Sequence, residues 1–270
     1  MTITDQQLYK SAIDFLLSFD NISQEDLDNS LSSIHEKPKN LKIIYRRLCE
    51  SAQNRQMSPI VIGKAIGGID NLKKVLYDFE PHQVARTYGK TDTSLLLKDI
   101  KERLNPSGQF RTTTKSLWTQ FAQAVIDSAH FLKSFDSAEN FYEWANFFAS
   151  DIRAKPALPL MISIEITGIG FPLACDFLKE LGYVEYGKPD VHLKDIFKAL
   201  KIIDHNERNA IKQDYATLKA IDRIANSNNV TSYAVDKVFW LIGSGNFYVI
   251  GKNIGRQKQN FIEQMTNKFL

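Results

Sequence analysis

The chain has 270 residues, 43% hydrophobic and 24% charged, with a formal net charge of only +3 at pH 7. That is enough apolar sequence for a large core in one connected unit or two lobes, and too little net charge to argue for nucleic-acid binding by itself. The apolar runs are short, the longest near residues 238–242, so no membrane span is expected. The opening M-T-I-T-D-Q-Q-L has neither the basic n-region nor the apolar h-region of a leader.

In chain order, nearly every segment has helical period. Thr4-x-x-Gln7 reads as a capping box opening a helix over 6–19. A short helix follows, from Ser23 or Glu25 to about residue 34, and others are expected over 41–52, 59–66, 71–79, 81–88 and 93–104. The polar stretch N-P-S-G-Q-F-R-T-T-T (105–114) reads as a loop. Beyond it lie a long helix over 115–135, one over 138–149, and an apolar one over 158–166. Helices over 171–181, 191–202, 206–225, 233–241 and 256–269 complete the chain. Only 246–250 looks like strand, and there is no internal repeat or low-complexity tract. The fold class expected is therefore all-α.

The segment I-T-G-I-G-F-P-L-A-C-D-F-L-K-E-L-G-Y-V-E-Y-G-K-P-D-V-H-L (166–193) carries the chemistry. Gly168 and Gly170 flank one apolar residue, Ile169, which can turn inward while the glycines take backbone angles that a Cβ forbids. Pro172 suits the first turn of the next helix, where its missing N–H costs nothing. The free amides at that helix start lie at the positive end of its dipole and form an anion site that phosphate fits. A turn between two core helices has the same composition, and a lone G-x-G is weak. Further on, Lys188-Pro189-Asp190 before V-H-L-K-D-I-F-K-A-L reads as an N-cap aspartate opening a helix. A cap and a catalyst are compatible, since the capping amides orient the carboxylate and hold it ionised. His192, one turn in, reads as structural or as a DNA contact, and it lacks a ligand-spaced partner.

Together the two halves resemble the helix-hairpin-helix/Gly-Pro-Asp superfamily of DNA glycosylases, in a divergent bacterial branch. The resemblance rests on Gly168-Ile169-Gly170, the helix that follows, Gly187-Lys188-Pro189, and Asp190-Val191-His192. It implies a two-lobed helical fold with a DNA-binding cleft between the lobes. The hairpin-containing lobe would cover 41–200 (hairpin about 158–182), and 1–40 with 201–270 would form the second lobe. It implies that Asp190 is the catalytic carboxylate, activating water or stabilising positive charge at the sugar C1′ as the N-glycosidic bond breaks. Gly168, Ile169, Gly170, Lys188 and His192 would contact DNA. Bifunctional members carry a nucleophilic lysine two residues after the second glycine. Here that residue is Pro172, which cannot form a Schiff base. A monofunctional enzyme with water as nucleophile is therefore expected; Lys188 and Lys194 are the lysines flanking the site. In the same family a polar segment near Glu50–Ser58 would fill the gap left by an extruded base, which nominates Asn54, Arg55, Gln56 and Met57. Phe110 and Trp118 are further candidates for the base pocket or strand wedge, with Trp240 also conceivable. Trp118, Trp144 and Trp240 all lie on apolar helices, however, where aromatics usually pack in the core.

The charge distribution fits this expectation. Residues 1–36 hold seven acids and one base, which leaves +9 on the rest, with basic clusters at 37–47 and 252–258 that could track a phosphate backbone. Two cysteines, Cys49 and Cys175, suggest no disulfide framework and cannot supply the four ligands of an iron–sulfur cluster. No metal and no cofactor are expected. The expected partner is double-stranded DNA with a modified or damaged base, engaged by a monomer in the cytoplasm or on the nucleoid. The substrate would be a damaged purine, or a modified base in phage DNA if the protein serves antiviral defence. The competing readings are a non-catalytic helix-hairpin-helix DNA-binding protein, in which Asp190 is only a cap, and a helical interaction scaffold with no nucleic-acid role.

Overall fold

A computed structural model describes residues 3–32, 36–54 and 61–269. Among them the chain is predominantly helical, with one two-residue β pair. It divides into two compact units: Met1–His35 with Gly182–Leu270, and Glu36–Leu181.

In the unit spanning 36–181, helices α3 (Leu41–Gln53), α4 (Pro81–Thr87) and α5 (Thr93–Leu104) pack on α6 (Leu117–Leu132), which also meets α8 (Ala157–Glu165); α7 (Ala138–Ala149) packs on α8, and α9 (Phe171–Glu180) packs on α8 and α3. Ser116 caps α6 by accepting the Thr119 amide, and most of the helix that follows is buried. The Tyr45 hydroxyl donates to the Val125 carbonyl at 3.0 Å, pinning α3 to α6. An aromatic cluster of Phe131, Phe135, Phe141 and Trp144 joins α6 to α7 through ring centroids 5.3–5.9 Å apart. The helix expected over 71–79 is not continuous. A 3-10 turn over Ile69–Lys74 is followed by Tyr77, Asp78 and Phe79 at φ of 51°, 53° and 61°, which stop any right-handed helix. Of the helix expected over 59–66, only 61–66 lies within the described residues, and there the chain runs in turns.

In the other unit, α1 (Asp5–Leu17), α2 (Gln24–Leu31), α10 (Val191–Ala199), α11 (Ala210–Asn228), α12 (Ser232–Ser244) and α13 (Lys258–Phe269) form a second core. The Thr4/Gln7 capping box is present at α1. Helix α12 is apolar nearly all round and is buried among the others. Phe197, Phe239, Phe261 and Phe15 link α10, α12, α13 and α1 edge to face, each step 5.1–6.2 Å between centroids. Such a pair contributes about 0.5–1.5 kcal/mol beyond its area. The expected strand at 246–250 shrinks to β1 (Asn246–Phe247) paired antiparallel with β2 (Lys252–Asn253).

The unit boundary falls at 181/182, not near 200 as the sequence suggests. The cause is α10. Its Leu193, Ile196 and Phe197 are fully buried in the core with α11 and α12, so the segment carrying Asp190 belongs with residues 1–35 and 201–270. Among the described residues no helix is long and apolar enough to cross a membrane.

Candidate functional site

The two halves of the 166–193 motif lie in different units. The hairpin turn belongs to 36–181. Helix α8 ends at Glu165 with Ile166 as its C-cap, and the chain turns through Thr167 and Gly168 before Gly170 caps α9 in extended geometry. Gly168 has φ +95°, a conformation in which an L side chain is strained. Ile169 is fully buried, as an anchor should be. Pro172 stands in the first turn of α9. Two of the turn's amides are used internally: Ile169 donates to the Ile166 carbonyl at 3.1 Å, and Thr167 to Asp127 Oδ2 at 3.0 Å. The amides of Gly168 and Gly170 have no acceptor among the described residues. They are the donors an anion could reach, although Asp127 places a carboxylate at the start of the same turn. The positive surplus also lies in this unit, with 20 Lys and Arg against 16 Asp and Glu, compared with 14 against 15 in the other.

Asp190 lies in the second unit as the N-cap of α10. Its Oδ1 accepts the amides of His192 at 2.8 Å and Leu193 at 3.1 Å, so the carboxylate is fixed in direction. The loop before it is packed tightly. A Cβ on Gly187 would stand 2.8 Å from Ile221 Cγ2 and 3.0 Å from the Ser232 carbonyl. The Lys188 amide donates to Asp236 Oδ2 at 3.0 Å, and the Asp190 amide donates to the Lys188 carbonyl at 2.8 Å.

The cap bonds are not the largest influence on the proton affinity of Asp190. Burial first, and the charge of Asp236 second, raise its proton affinity above the ordinary value. The Leu193 amide, His192 and Lys188 oppose that shift without cancelling it. His192 is half-buried, with its ring against Gly243 of α12, where an added Cβ would lie 2.4 Å from the ring carbon Cγ. Its Nδ1 is enclosed and has no hydrogen-bond partner among the described residues. Burial lowers the proton affinity of the ring, Asp190 raises it, and Lys258 and Arg256 lower it further.

The remaining predicted residues are dispersed. Asn54 is the C-cap of α3, half-buried, with its amide on the Ser51 carbonyl. Arg55, Gln56 and Met57 lie outside the described residues. Trp118 is buried and donates to the Gln109 carbonyl at 3.3 Å. Phe110 rests against it at 4.6 Å between centroids and faces a groove of about 570 Å³ shared with Lys98, Lys101 and Thr112. Trp240 sits beside Tyr248, with the Lys237 ammonium over both rings. Lys194 is tied to Asp214 at 2.7 Å.

The basic clusters are largely neutralised within their own units. Arg46 pairs with Glu50 and Asp70, Arg47 with Glu50 and Glu180, and Lys42 with Glu80. Lys252 pairs with Asp26, and Lys258 with Asp195. These residues are poorer phosphate tracks than their spacing suggests. Among the described residues no group of three or more His, Cys, Asp or Glu could hold a metal ion.

Asp127, Asp236 and Gly243 also belong to these sites and are not evident from the motif. The one signal available was a charged pair, Asp236-Lys237, inside an otherwise apolar run. No family model matches the chain, and no curated protein or solved structure matches it.

Proposed function

We propose that the protein is a DNA glycosylase of the helix-hairpin-helix/Gly-Pro-Asp type. In this reading it extrudes a modified or damaged base and hydrolyses the N-glycosidic bond, leaving an abasic site. The observation that carries the proposal is Asp190: a partly buried carboxylate, aimed by two amides, at the end of a tightly packed Gly-Lys-Pro loop. The open Gly168 and Gly170 amides support a phosphate anchor for the DNA backbone. Flipping costs a few kcal/mol, which backbone anchoring would help to offset. Scission then builds oxocarbenium character at C1′, as in glycoside hydrolysis. A fixed carboxylate stabilises that charge and orients water against it. Pro172 in the first turn of α9 supports water, not an amine, as the nucleophile. The Lys194–Asp214 ion pair argues against Lys194 as a substitute amine.

The test is incubation of the protein and its Asp190→Asn variant with duplexes bearing oxidised purines, alkylated purines or modified pyrimidines of the kind found in phage DNA. Products are read before and after hot alkali. Breaks that appear only after alkali, and are absent with the variant, are expected. Breaks without alkali, together with a borohydride-trapped protein–DNA adduct, would replace the water mechanism by a lysine one.

A second reading, DNA binding without chemistry, draws on the same bonds, because capping α10 is a sufficient structural reason for Asp190. Salt-sensitive duplex binding with no cleavage of any substrate would establish it.

A further inference from the structure

Lys188, which precedes Pro189 and Asp190, is held by the carboxylate of Asp236 and by the backbone amide of Asp190. Asp236, on α12 and only 3% exposed, holds the Lys188 amide at 3.0 Å. Asp190 holds the Lys188 carbonyl through its own amide at 2.8 Å and turns its side chain to the start of α10. Lys188 therefore links the two acids through one donor and one acceptor. A buried carboxylate next to a second one is a costly arrangement, and such arrangements cluster at working sites.

We propose that Asp236 is a positioning residue for Asp190: from α12 it locks the 187–189 loop that presents the Asp190 carboxylate. Its charge acts on that carboxylate as well, in the direction of tighter proton binding. This rests on the glycosylase reading, in which the acceptor has a use. The C1′–N bond breaks with its electron pair leaving on the base. The water oxygen bonds to C1′, the water proton passes to Asp190, and the departing base takes a proton from solvent. A base of higher proton affinity serves that step better than an ordinary aspartate.

Several described charges surround the pair. On the loop and α10, Lys188 and His192 favour ionised Asp190. Arg256 and Lys258, from the α13 side, and Asp195 act on His192. On α11, Asp214 is bonded to Lys194 and Asp222 accepts from Ser232. On α12, Lys237 lies over Trp240 and Tyr248. Asp236 is the charge that, after burial, does most to raise the proton affinity of Asp190.

The experiment is a carbon-detected NMR titration of protein labelled at aspartate carboxyls, with the Asp190 signal assigned by its loss in Asp190→Asn. In Asp236→Asn, whose side-chain oxygen can still accept the Lys188 amide, the Asp190 midpoint should move to lower pH while that amide stays protected from exchange. In Asp236→Glu, which restores the charge, the midpoint should return toward the wild-type value. An unchanged midpoint in a folded Asp236→Asn protein overturns the proposal. If neither variant folds, the wild type decides alone: a midpoint at or below that of an unperturbed aspartate, about 3.9, overturns it too. Single-turnover excision separates this proposal from the function it rests on. Cleavage with an unshifted midpoint removes the role of Asp236 and leaves the glycosylase. A shifted midpoint in a protein that cleaves no duplex keeps the carboxylate pair and removes the glycosylase.

Discussion

Gly243→Ala tests the local geometry of the site without a substrate. The new Cβ would lie 2.4 Å from His192 Cγ and 2.5 Å from its Cβ and Nδ1. Unbonded carbons approach to about 3.5–4.0 Å, so the ring or the helix must retreat by about 1 Å. His192 is the second residue of α10, and its amide is one of the two that hold Asp190. The displacement therefore strains the cap directly. Overpacking of this kind costs about 1–3 kcal/mol. Opposing it, alanine is the better helix former by about 1 kcal/mol, and Gly243 lies inside α12. A net loss of stability requires the clash to win. The contact resides in the imidazole and in its Cβ, so His192→Gly, not His192→Ala, removes all of it. In the His192→Gly background, Gly243→Ala should be neutral or stabilising by up to about 1 kcal/mol, which leaves a coupling equal to the clash itself, about 1–3 kcal/mol, in a double-mutant cycle. Urea unfolding of the four proteins measures it. An effect of Gly243→Ala that is the same with and without His192 would refute the packing of α12 on the start of α10.

Further outcomes follow from the same site. Asp190→Asn should keep the cap and unfold close to wild type, whereas Asp190→Ala should lose about 1 kcal/mol. Both should abolish excision, and an active Asp190→Asn would reduce the residue to a cap. The raised proton affinity of Asp190 fixes a pH dependence. The folded state binds the proton more tightly than the unfolded chain, so the contribution of Asp190 to stability is complete below the ordinary value of 3.8 and is lost as pH rises through the folded value. The stability of Asp190→Asn relative to wild type should therefore increase with pH from about 4 upward, and a flat difference in chemical denaturation would contradict this. At the hairpin, Asp127→Asn keeps an acceptor for the Thr167 amide but removes a negative charge from the turn. Duplex affinity by fluorescence anisotropy at low salt should rise, with the gain shrinking as salt screens it; an unchanged affinity would place the phosphate contact elsewhere. Gly168→Ala forces a side chain to φ +95°, so about 1 kcal/mol of stability should be lost along with duplex affinity, and retention of both would show that the turn is not the anchor.

The features legible in the sequence are those whose cause is local. Gly168-Ile169-Gly170 and Pro189-Asp190 each encode a backbone conformation within a few residues, and the turn and the cap are both present. Helical period likewise located most elements, because burial of one face shows in spacing alone. It failed over 71–79, where the apolar spacing continues but three successive residues take positive φ. What spacing cannot encode is the identity of a distant neighbour. The basic residues of 37–47 look free until Asp70, Glu80 and Glu180 arrive from other elements to pair with them. Asp236 looks like a stray charge until the Lys188 amide, 48 residues earlier, is found on it.

The same limit governs the motif itself. Residues 166–193 are contiguous, yet a contiguous motif is not a packing unit: Ile169 is buried with 36–181, while Leu193, Ile196 and Phe197 complete the core of the other unit. Burial decides that division, since moving three fully buried apolar side chains of α10 to solvent would cost about 1.5–3 kcal/mol each. The Asp190 carboxylate therefore belongs to the unit whose core is built by α10, α11 and α12. Defects introduced at Asp236 or Gly243 should accordingly alter the chemistry of Asp190 while leaving the hairpin turn, braced by Asp127 within its own unit, unchanged.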